Sequence, residues 1–401
     1  VMVDTGNSYE GLCEYLGGKY ISYTEERPIT MNPFRIHREE MNVEKTGFLK
    51  NLVLLIWKGT QGTVTKTEDR LIEQVIMEYY DTYFNGFDGF TPLQREDLRK
   101  SLLIDDRNRS DRQDESEGER AGRIEQMIDE MERRRKELKV PELSFNSFYE
   151  FSVQRIPDIC SENHISGIDI STYRYMMKDF YRGGNHEKTL NENMDSSLFD
   201  ETFIVFEIDS IKDDPLLFPL VTLIIMDVFL QKMRIKKGRK ALIIEEAWKA
   251  IASPTMAEYI KYLYKTVRKF HGIAGVVTQE LNDVIDSPIV KEAIINNSDV
   301  KILLDQTKFK DRYEDIAAIL GLTDIQRQQI FTINALNNHE GRSYFKEVWI
   351  CRGQHSDVYG VEEAPECYWA YATERTEKEA LKIYLARYGT LQEAITRIEE
   401  D

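Results

Sequence analysis

The segment Ala241–Ile251, ALIIEEAWKAI, constrains the fold of this chain more than any other feature. Its aliphatic residues run directly into two adjacent carboxylates, Glu245 and Glu246. A short apolar run of this kind is typical of a strand buried on both faces of a parallel sheet. Open α/β sheets bind ligands beyond the carboxyl ends of their strands, so the two acids could serve a metal–nucleotide site. The alternative is a strand that ends in a solvated turn, and the acidic pair alone does not decide between them.

A second strand with a polar end follows in the sequence. His271–Glu280, HGIAGVVTQE, is a short aliphatic run that ends in Thr278 and Gln279. Between the two strands, residues 255–270 carry apolar side chains at helical spacing, which predicts a β-α-β unit with parallel strands and a right-handed crossover. Gln279 is therefore expected close to Glu246, where its amide could contact a γ-phosphate. Together the two strands predict half of a RecA-type NTPase core.

Two stretches carry a resemblance to a known family. One is the EEAW segment followed by a helix, the pair Arg268-Lys269 and a strand ending in Thr-Gln. The other is residues 1–34, VMVDTGNSYEGLCEYLGGKYISYTEERPITMNPF. In both, the chain resembles the ATPases of conjugative type IV secretion systems, in particular the TraG family of conjugative transposons, which is related to TraC and to the large pilus-assembly ATPases. The resemblance implies an α/β fold, namely a RecA-like P-loop NTPase core with a mainly parallel sheet and an all-α helical insertion.

The resemblance also implies a role for the polar residues at the strand ends. These are the catalytic base Glu246, the γ-phosphate sensor Gln279, the arginine finger Arg268 acting on a neighbouring subunit, the metal-side acid Glu245, and the nucleotide contacts Asp4 and Ser8, with Arg352 as a second candidate for the finger. The family more generally has Asp where Glu245 stands, so the longer side chain favours contact with Mg²⁺ through water. The cofactors implied are ATP and Mg²⁺.

One motif of the family is absent from the sequence. No G-x-x-x-x-G-K-[ST] phosphate loop occurs, and the pairs Gly17-Gly18 and Gly183-Gly184 lack the Lys-Ser/Thr that must follow. In the family, that loop and its helix precede the strand that Val1–Asp4 resembles. We therefore interpret the chain as a C-terminal piece of a longer protein. ATP and Mg²⁺ are expected to bind the longer protein, and the chain alone is expected to be inactive.

Composition limits the classes of partner. Lys plus Arg number 53 against 70 acids, a net charge of −17, which argues against broad non-specific binding to DNA. The four cysteines form no C-x-x-C pair and the six histidines are scattered, so a zinc site is not indicated and reducing, cytoplasmic conditions fit best. The longest apolar stretch, Leu216–Leu230, is interrupted and too short for a membrane span.

The resemblance implies a conjugation motor that couples ATP hydrolysis to the assembly of a pilus or channel, or to substrate transfer. Its partners would be other subunits of the type IV secretion system, in a homo-hexamer on the cytoplasmic periphery of the inner membrane. Two alternatives stay open: a DNA-pumping motor of the coupling-protein class, which the negative charge disfavours, and an ATPase-dead assembly scaffold. DNA binding stays undecided.

The pattern of strands and helices predicts four parts. Residues 1–64 and 199–360 are expected to form one RecA-like core with a single parallel sheet, which includes strands at Phe203–Ile208, ending at Asp209, and at Val300–Leu304. Tyr344–Cys351 reads as a further strand, either antiparallel or at an edge of the sheet. Residues 65–198 read as an all-α insertion, which opens with a capping box between Thr65 and Glu68. Residues 361–401 form a C-terminal helical segment, with capping boxes predicted at Thr376 and Thr390 and a helix stop at Gly389. That segment either packs on the sheet or acts as a lid.

Overall fold

The computed structural model describes residues 1–108, 116–193, 196–246, 254–278, 294–307, 313–335 and 345–400. The strands in this part of the chain are Met2–Asp4 (β1), Lys19–Ser22 (β2), Ile204–Glu207 (β3), Lys240–Glu245 (β4), Gly272–Val277 (β5), Val300–Leu303 (β6), Phe345–Arg352 (β7) and His355–Glu362 (β8). The helices are Glu10–Tyr15 (α1), Val43–Lys58 (α2), Lys66–Asn85 (α3), Pro92–Asn108 (α4), Glu117–Glu137 (α5), Phe145–Glu162 (α6), Ile170–Met177 (α7), Glu187–Asn191 (α8), Leu217–Ile235 (α9), Pro254–Val267 (α10), Tyr313–Leu320 (α11), Asp324–Ile330 (α12), Pro365–Ala370 (α13), Arg375–Tyr388 (α14) and Leu391–Glu400 (α15). The chain divides into two compact units, one of Val1–Arg27 with Asp195–Asp401 and one of Pro28–Met194.

The first unit is built on a five-stranded parallel sheet with the order β2-β3-β1-β4-β5. The predicted β-α-β unit is confirmed, because β4 and β5 pair in parallel and α10 connects them. In register, Asp4 lies beside Glu207 and Glu245 lies beside Val277. Parallel strands end at a common edge, so this pairing places the acids of β1, β3 and β4 at the carboxyl edge of one sheet.

The expectation of a single parallel sheet is wrong for β6, whereas β7 is antiparallel, which is one of the alternatives stated for Tyr344–Cys351. β6, β7 and β8 form a separate antiparallel sheet in the order β6-β7-β8. Along β7, buried side chains alternate with less buried ones, which is the pattern of a strand with one face on a core and not of a strand covered on both faces. Its fully buried Trp349 packs with Tyr313 and Ile330 from α11 and α12. A hairpin turn through Gly353, at φ 61°, joins β7 to β8.

The second unit contains helices α2–α8. The apolar stripe of α3 is buried, from Leu71 to Tyr80. Both contacts of the predicted capping box between Thr65 and Glu68 form, at 2.9 and 3.2 Å. Helix α2 belongs to this unit, although the sequence analysis assigned residues 1–64 to the core. Its side chains from Leu52 to Trp57 are all buried, which is the burial of a helix packed within a helical body.

Helices α13–α15 pack together and on α1 in the first unit. Ala370, Leu391 and Ile395 form their buried core, and Tyr15 of α1 packs against it. The helix stop at Gly389 is confirmed by its left-handed φ of 86°, and Thr390 caps α15 by accepting the N–H of Glu393 at 3.3 Å. The cap predicted at Thr376 is wrong, because α14 already begins at Arg375. In the structure this segment packs on α1.

Among the described helices, none combines the length and the apolar character that crossing a bilayer requires.

Candidate nucleotide site

The turn from β1 into α1 is held by the acids at the strand ends. Each backbone N–H from Thr5 to Tyr9 donates to a carboxylate: Thr5 to Glu245 at 3.4 Å, Gly6 to Asp4 at 3.1 Å, Asn7 to Glu207 at 3.0 Å, Ser8 to Asp4 at 3.3 Å and Tyr9 to Asp4 at 3.0 Å. Asn7 adopts a left-handed conformation at φ 52°, which asparagine tolerates better than most residues. Three acids therefore order one short turn at the carboxyl edge of the sheet.

Asp4 is the central acid of this turn and is completely buried. Its two carboxylate oxygens accept three backbone N–H groups, from Gly6, Ser8 and Tyr9. Hydrogen bonds of this kind compensate a buried carboxylate for the loss of water. In the structure Asp4 organises the turn, and Ser8 contributes to it by donating its backbone N–H to Asp4. Contact of either residue with a nucleotide stays a prediction.

Glu207, at the end of β3, is 2% exposed and lies beside Asp4. It accepts hydrogen bonds from the Tyr20 hydroxyl at 3.2 Å and from the N–H of Asp209 at 2.7 Å, in addition to that of Asn7. Burial, together with the neighbouring Asp4 carboxyl, raises the pKa of Glu207 to about 7. The edge therefore holds a carboxyl group that titrates near neutral pH.

Glu245, at the end of β4, is held at both oxygens. The Tyr9 hydroxyl donates to Oε1 at 2.9 Å and the Thr5 N–H donates to Oε2 at 3.4 Å. Burial and the charge of Asp4 raise the pKa of Glu245, while the contacts with Tyr9 and Thr5 act in the opposite direction. Burial and the charge of Glu245 likewise raise the pKa of the Tyr9 phenol. The phenol is therefore the proton donor in this pair.

The resemblance implies that these acids hold Mg²⁺. Within the described residues, no group of three or more His, Cys, Asp and Glu side chains is arranged to hold a metal ion. Mg²⁺ is commonly held by only one or two carboxylates, with waters and substrate phosphates as its other ligands. A carboxylate oxygen has more than one lone pair, so the contacts of Glu245 with Tyr9 and Thr5 leave acceptor sites for a metal-bound water. Glu245 therefore fits water-mediated contact with Mg²⁺.

Glu246 follows β4 directly and continues its pairing with β5. Its N–H donates to the carbonyl oxygen of Val277 at 3.0 Å, and its backbone is left-handed at φ 48°. A glutamate in that conformation is strained, and strained residues are often found at functional sites. Thr278 directly follows the paired strand end. Gln279, the residue after Thr278, lies outside the described residues, and so does Trp248.

Arg268 does not lie with the acids. It precedes the start of β5 and forms an exposed ion pair with Asp299, at 3.0 Å. Lys240 pairs with Gly272 at the start of β4 and β5, and Glu245 pairs with Val277 at their end, so Arg268 is at the opposite edge of the sheet from Glu245. Arg268 therefore does not serve the acidic edge of its own chain. Arg352, the second candidate, ends β7 in the antiparallel sheet and is exposed.

Sequence analysis missed Glu207 and Tyr9. The sequence predicts the strand Phe203–Ile208 with its end at Asp209, and that prediction leaves Glu207 inside the strand and not at the edge. The signal was present, since FIVFEID places Glu207 after four apolar residues just as Glu245 follows ALII. For Tyr9 no sequence signal exists, because its contact with Glu245 joins residues 236 positions apart.

A parallel sheet with acids at its carboxyl edge defines the class of this molecule, a RecA-like P-loop NTPase core accompanied by a helical unit. The model of one family, described as the TraG P-loop domain, matches residues 1–111 and 83–401. Because the two matches together span the chain, it belongs to the TraG P-loop domain family.

The chain was compared with solved structures of other proteins. VirB4 of Thermoanaerobacter pseudethanolicus is 17% identical, with a TM-score of 0.55 over 91% of this chain and 81% of that chain, which shows a shared fold. The unbound coupling protein TrwB is 11% identical, with a TM-score of 0.42 over 90% of this chain and 78% of that one. TrwB in complex with a non-hydrolysable ATP analogue is 11% identical, with a TM-score of 0.42 over 90% of this chain and 77% of that one. No curated protein matches the chain.

Proposed function

We propose that this chain is the hydrolytic part of a conjugation motor, which couples ATP hydrolysis to the assembly of a type IV secretion pilus or channel or to substrate transfer. The observation that carries the proposal is the row of strand-end acids, Asp4, Glu207 and Glu245 with the adjacent Glu246, at the carboxyl edge of a parallel sheet in a chain of the TraG P-loop domain family. Ligands of open α/β sheets bind at this edge.

Each acid has a distinct role in the proposal. Glu246 is the general base that takes a proton from the attacking water, and its strained backbone fixes where its side chain starts. Glu245 holds the metal side of the site through water, and the bound Mg²⁺ would neutralise charge that develops on the phosphates. Asp4 and Glu207 order the turn that lies against Glu245. Gln279 would contact the γ-phosphate, and Arg268 would act on the site of a neighbouring subunit.

Assembly and partners follow from the same proposal. The motor would be a homo-hexamer at the periphery of the inner membrane, in contact with other secretion subunits. A trans-acting Arg268 would have to leave Asp299, an exposed pair of a kind that is worth little energy. The net charge of −17 argues against broad non-specific binding to DNA. Stimulation of hydrolysis by single-stranded DNA would instead favour the coupling-protein class.

Replacement of Glu246 tests the proposal. The test protein is the longer protein, meaning this chain preceded by the phosphate loop that the resemblance predicts. Glu246→Gln should lower the rate of ATP hydrolysis by about two to four orders of magnitude and leave ATP binding intact, because only proton transfer is removed. The control is Glu362→Gln at the exposed end of β8, which should hydrolyse ATP at the parent rate. Parent activity in Glu246→Gln would contradict the assignment of the base.

A further inference from the structure

We propose that Tyr9 positions the Glu245 carboxylate for the metal side of the site, an inference that rests on the proposed function. The Tyr9 hydroxyl donates to Oε1 of Glu245 at 2.9 Å, and the Thr5 N–H donates to Oε2 at 3.4 Å. Both oxygens are therefore held from the single turn of residues 5–9. A glutamate side chain has several rotatable bonds, and contacts at both oxygens restrict the orientation of its carboxylate.

The turn of residues 5–9, which carries Tyr9, is itself held by hydrogen bonds. The Tyr9 N–H donates to Oδ2 of the buried Asp4 at 3.0 Å, so the residue is anchored at its backbone as well as at its hydroxyl. The same turn is tied to Glu207 through the N–H of Asn7, and the Lys378 ammonium donates to the Asn7 carbonyl at 3.1 Å. A side chain on so constrained a turn can hold its partner with little freedom of its own.

Partners of this kind commonly tune a metal site. Groups that hydrogen-bond to a ligating carboxylate fix its orientation, and their loss typically weakens metal binding by roughly 10- to 100-fold. For a carboxylate that contacts the metal through water, the lower end of that range applies. Tyr9 would therefore act through Glu245 and not on the nucleotide itself, which makes it a positioning residue.

A second tyrosine provides the matched control. The Tyr20 hydroxyl donates to Oε2 of Glu207 at 3.2 Å, so it makes the same chemical contact with the acid of a different strand. Tyr9→Phe and Tyr20→Phe each remove one hydroxyl from a strand-end carboxylate, and both should cost similar stability. Only Tyr9 contacts the acid on the proposed metal side, so only its loss should change metal affinity.

The test is a titration of the chain with Mn²⁺, followed by the electron paramagnetic resonance signal of the free ion, in the absence of nucleotide. Glu245→Gln identifies the component of binding that depends on Glu245. Tyr9→Phe should weaken that component about tenfold, and Tyr20→Phe should leave it within about twofold of the parent. Circular dichroism and urea unfolding of each variant establish that both are folded. In the Glu245→Gln background, adding Tyr9→Phe should have no further effect.

Three results would overturn the inference: equal Mn²⁺ affinity in the parent and Tyr9→Phe, equal weakening by Tyr20→Phe, or no component that depends on Glu245. These outcomes are distinct from failure of the proposed function, which is measured by hydrolysis in Glu246→Gln. Normal hydrolysis by that variant would remove the catalytic role and leave the Mn²⁺ result standing. Unchanged Mn²⁺ binding in Tyr9→Phe would remove the positioning role and leave the hydrolysis result standing.

Discussion

The titration of Glu207 makes the stability of this protein depend on pH in a way that one substitution should remove. Burial beside Asp4 raises the pKa of Glu207 from 4.5 to about 7, so the folded state binds a proton more tightly than the unfolded state does. Stability from this proton is fully present below pH 4.5 and is lost as the pH rises through 7. Because one pK unit corresponds to about 1.4 kcal/mol, the loss between pH 5.5 and 8 is on the order of 2 kcal/mol.

The perturbation is Glu207→Gln, which cannot titrate. Glutamine has one acceptor oxygen, so it cannot satisfy Asn7, Asp209 and Tyr20 as the carboxyl group does, and a constant cost of roughly 1–3 kcal/mol is expected. That constant cancels when the variant and the parent are compared at two pH values. Between pH 5.5 and pH 8, the free energy of unfolding of the variant should therefore rise by about 2 kcal/mol relative to that of the parent.

The assay is urea unfolding of both proteins at pH 5.5, 7 and 8, monitored by tryptophan emission and circular dichroism. The conservative control is Glu362→Gln, an exposed glutamate whose replacement should leave the pH dependence of the parent unchanged. A constant difference between parent and Glu207→Gln at all three pH values would refute the reasoning, because it would mean that Glu207 titrates alike in the folded and unfolded states.

Three further predictions concern packing and nucleotide binding. Arg155→Met should lower the free energy of unfolding by about 3–5 kcal/mol, because Arg155 is 1% exposed and its loss removes the guanidinium that pairs with both Glu78 and Glu162. Arg133→Met, at an exposed pair, should change that free energy by less than about 0.5 kcal/mol in the same urea assay. Gly11→Ala should destabilise the chain by roughly 1–3 kcal/mol, because the added Cβ would lie 2.4 Å from the Ala370 carbonyl oxygen. Its control is Gly47→Ala in helix α2, where the added Cβ would meet no atom within 4 Å, and this change should be neutral or stabilising. Calorimetric titration of the chain alone with MgATP should give no tight binding, because its sequence lacks a phosphate loop and its strand-end acids repel a polyanion; tight binding would reveal another phosphate site.

The sequence predicted the parallel sheet well because its strands are coded locally. ALIIEE and GIAGVV are apolar on both faces, and the helix between them has its own periodicity, so the β-α-β unit follows from short-range pattern alone. The same reasoning failed for Val300–Leu303. Its apolar residues are typical of a buried parallel strand, yet the strand pairs in antiparallel fashion with β7. That pairing depends on partners about fifty residues away in the sequence.

The site was predicted where residues adjoin in the sequence and missed where the fold brings them together. Glu245 and Glu246 are neighbours at a strand end, and their position at the carboxyl edge follows from the strand. The turn of residues 5–9 contacts acids from β1, β3 and β4, and no local pattern encodes that convergence. The resemblance supplied Asp4 and Ser8 as nucleotide contacts. It could not indicate that Asp4 holds the turn from which Tyr9 reaches Glu245.

The most direct test of the account is to locate the metal–nucleotide complex on the chain. Fe²⁺ replaces Mg²⁺ with ATP in the longer protein, and ascorbate with peroxide then cleaves the backbone next to the bound iron, with the cut sites identified by mass spectrometry. The account predicts cuts within residues 4–9 and at Glu245-Glu246, which are protected by excess MgATP. Protected cuts confined to other segments, such as the antiparallel sheet of β6–β8, would contradict the placement of the nucleotide at the acidic edge.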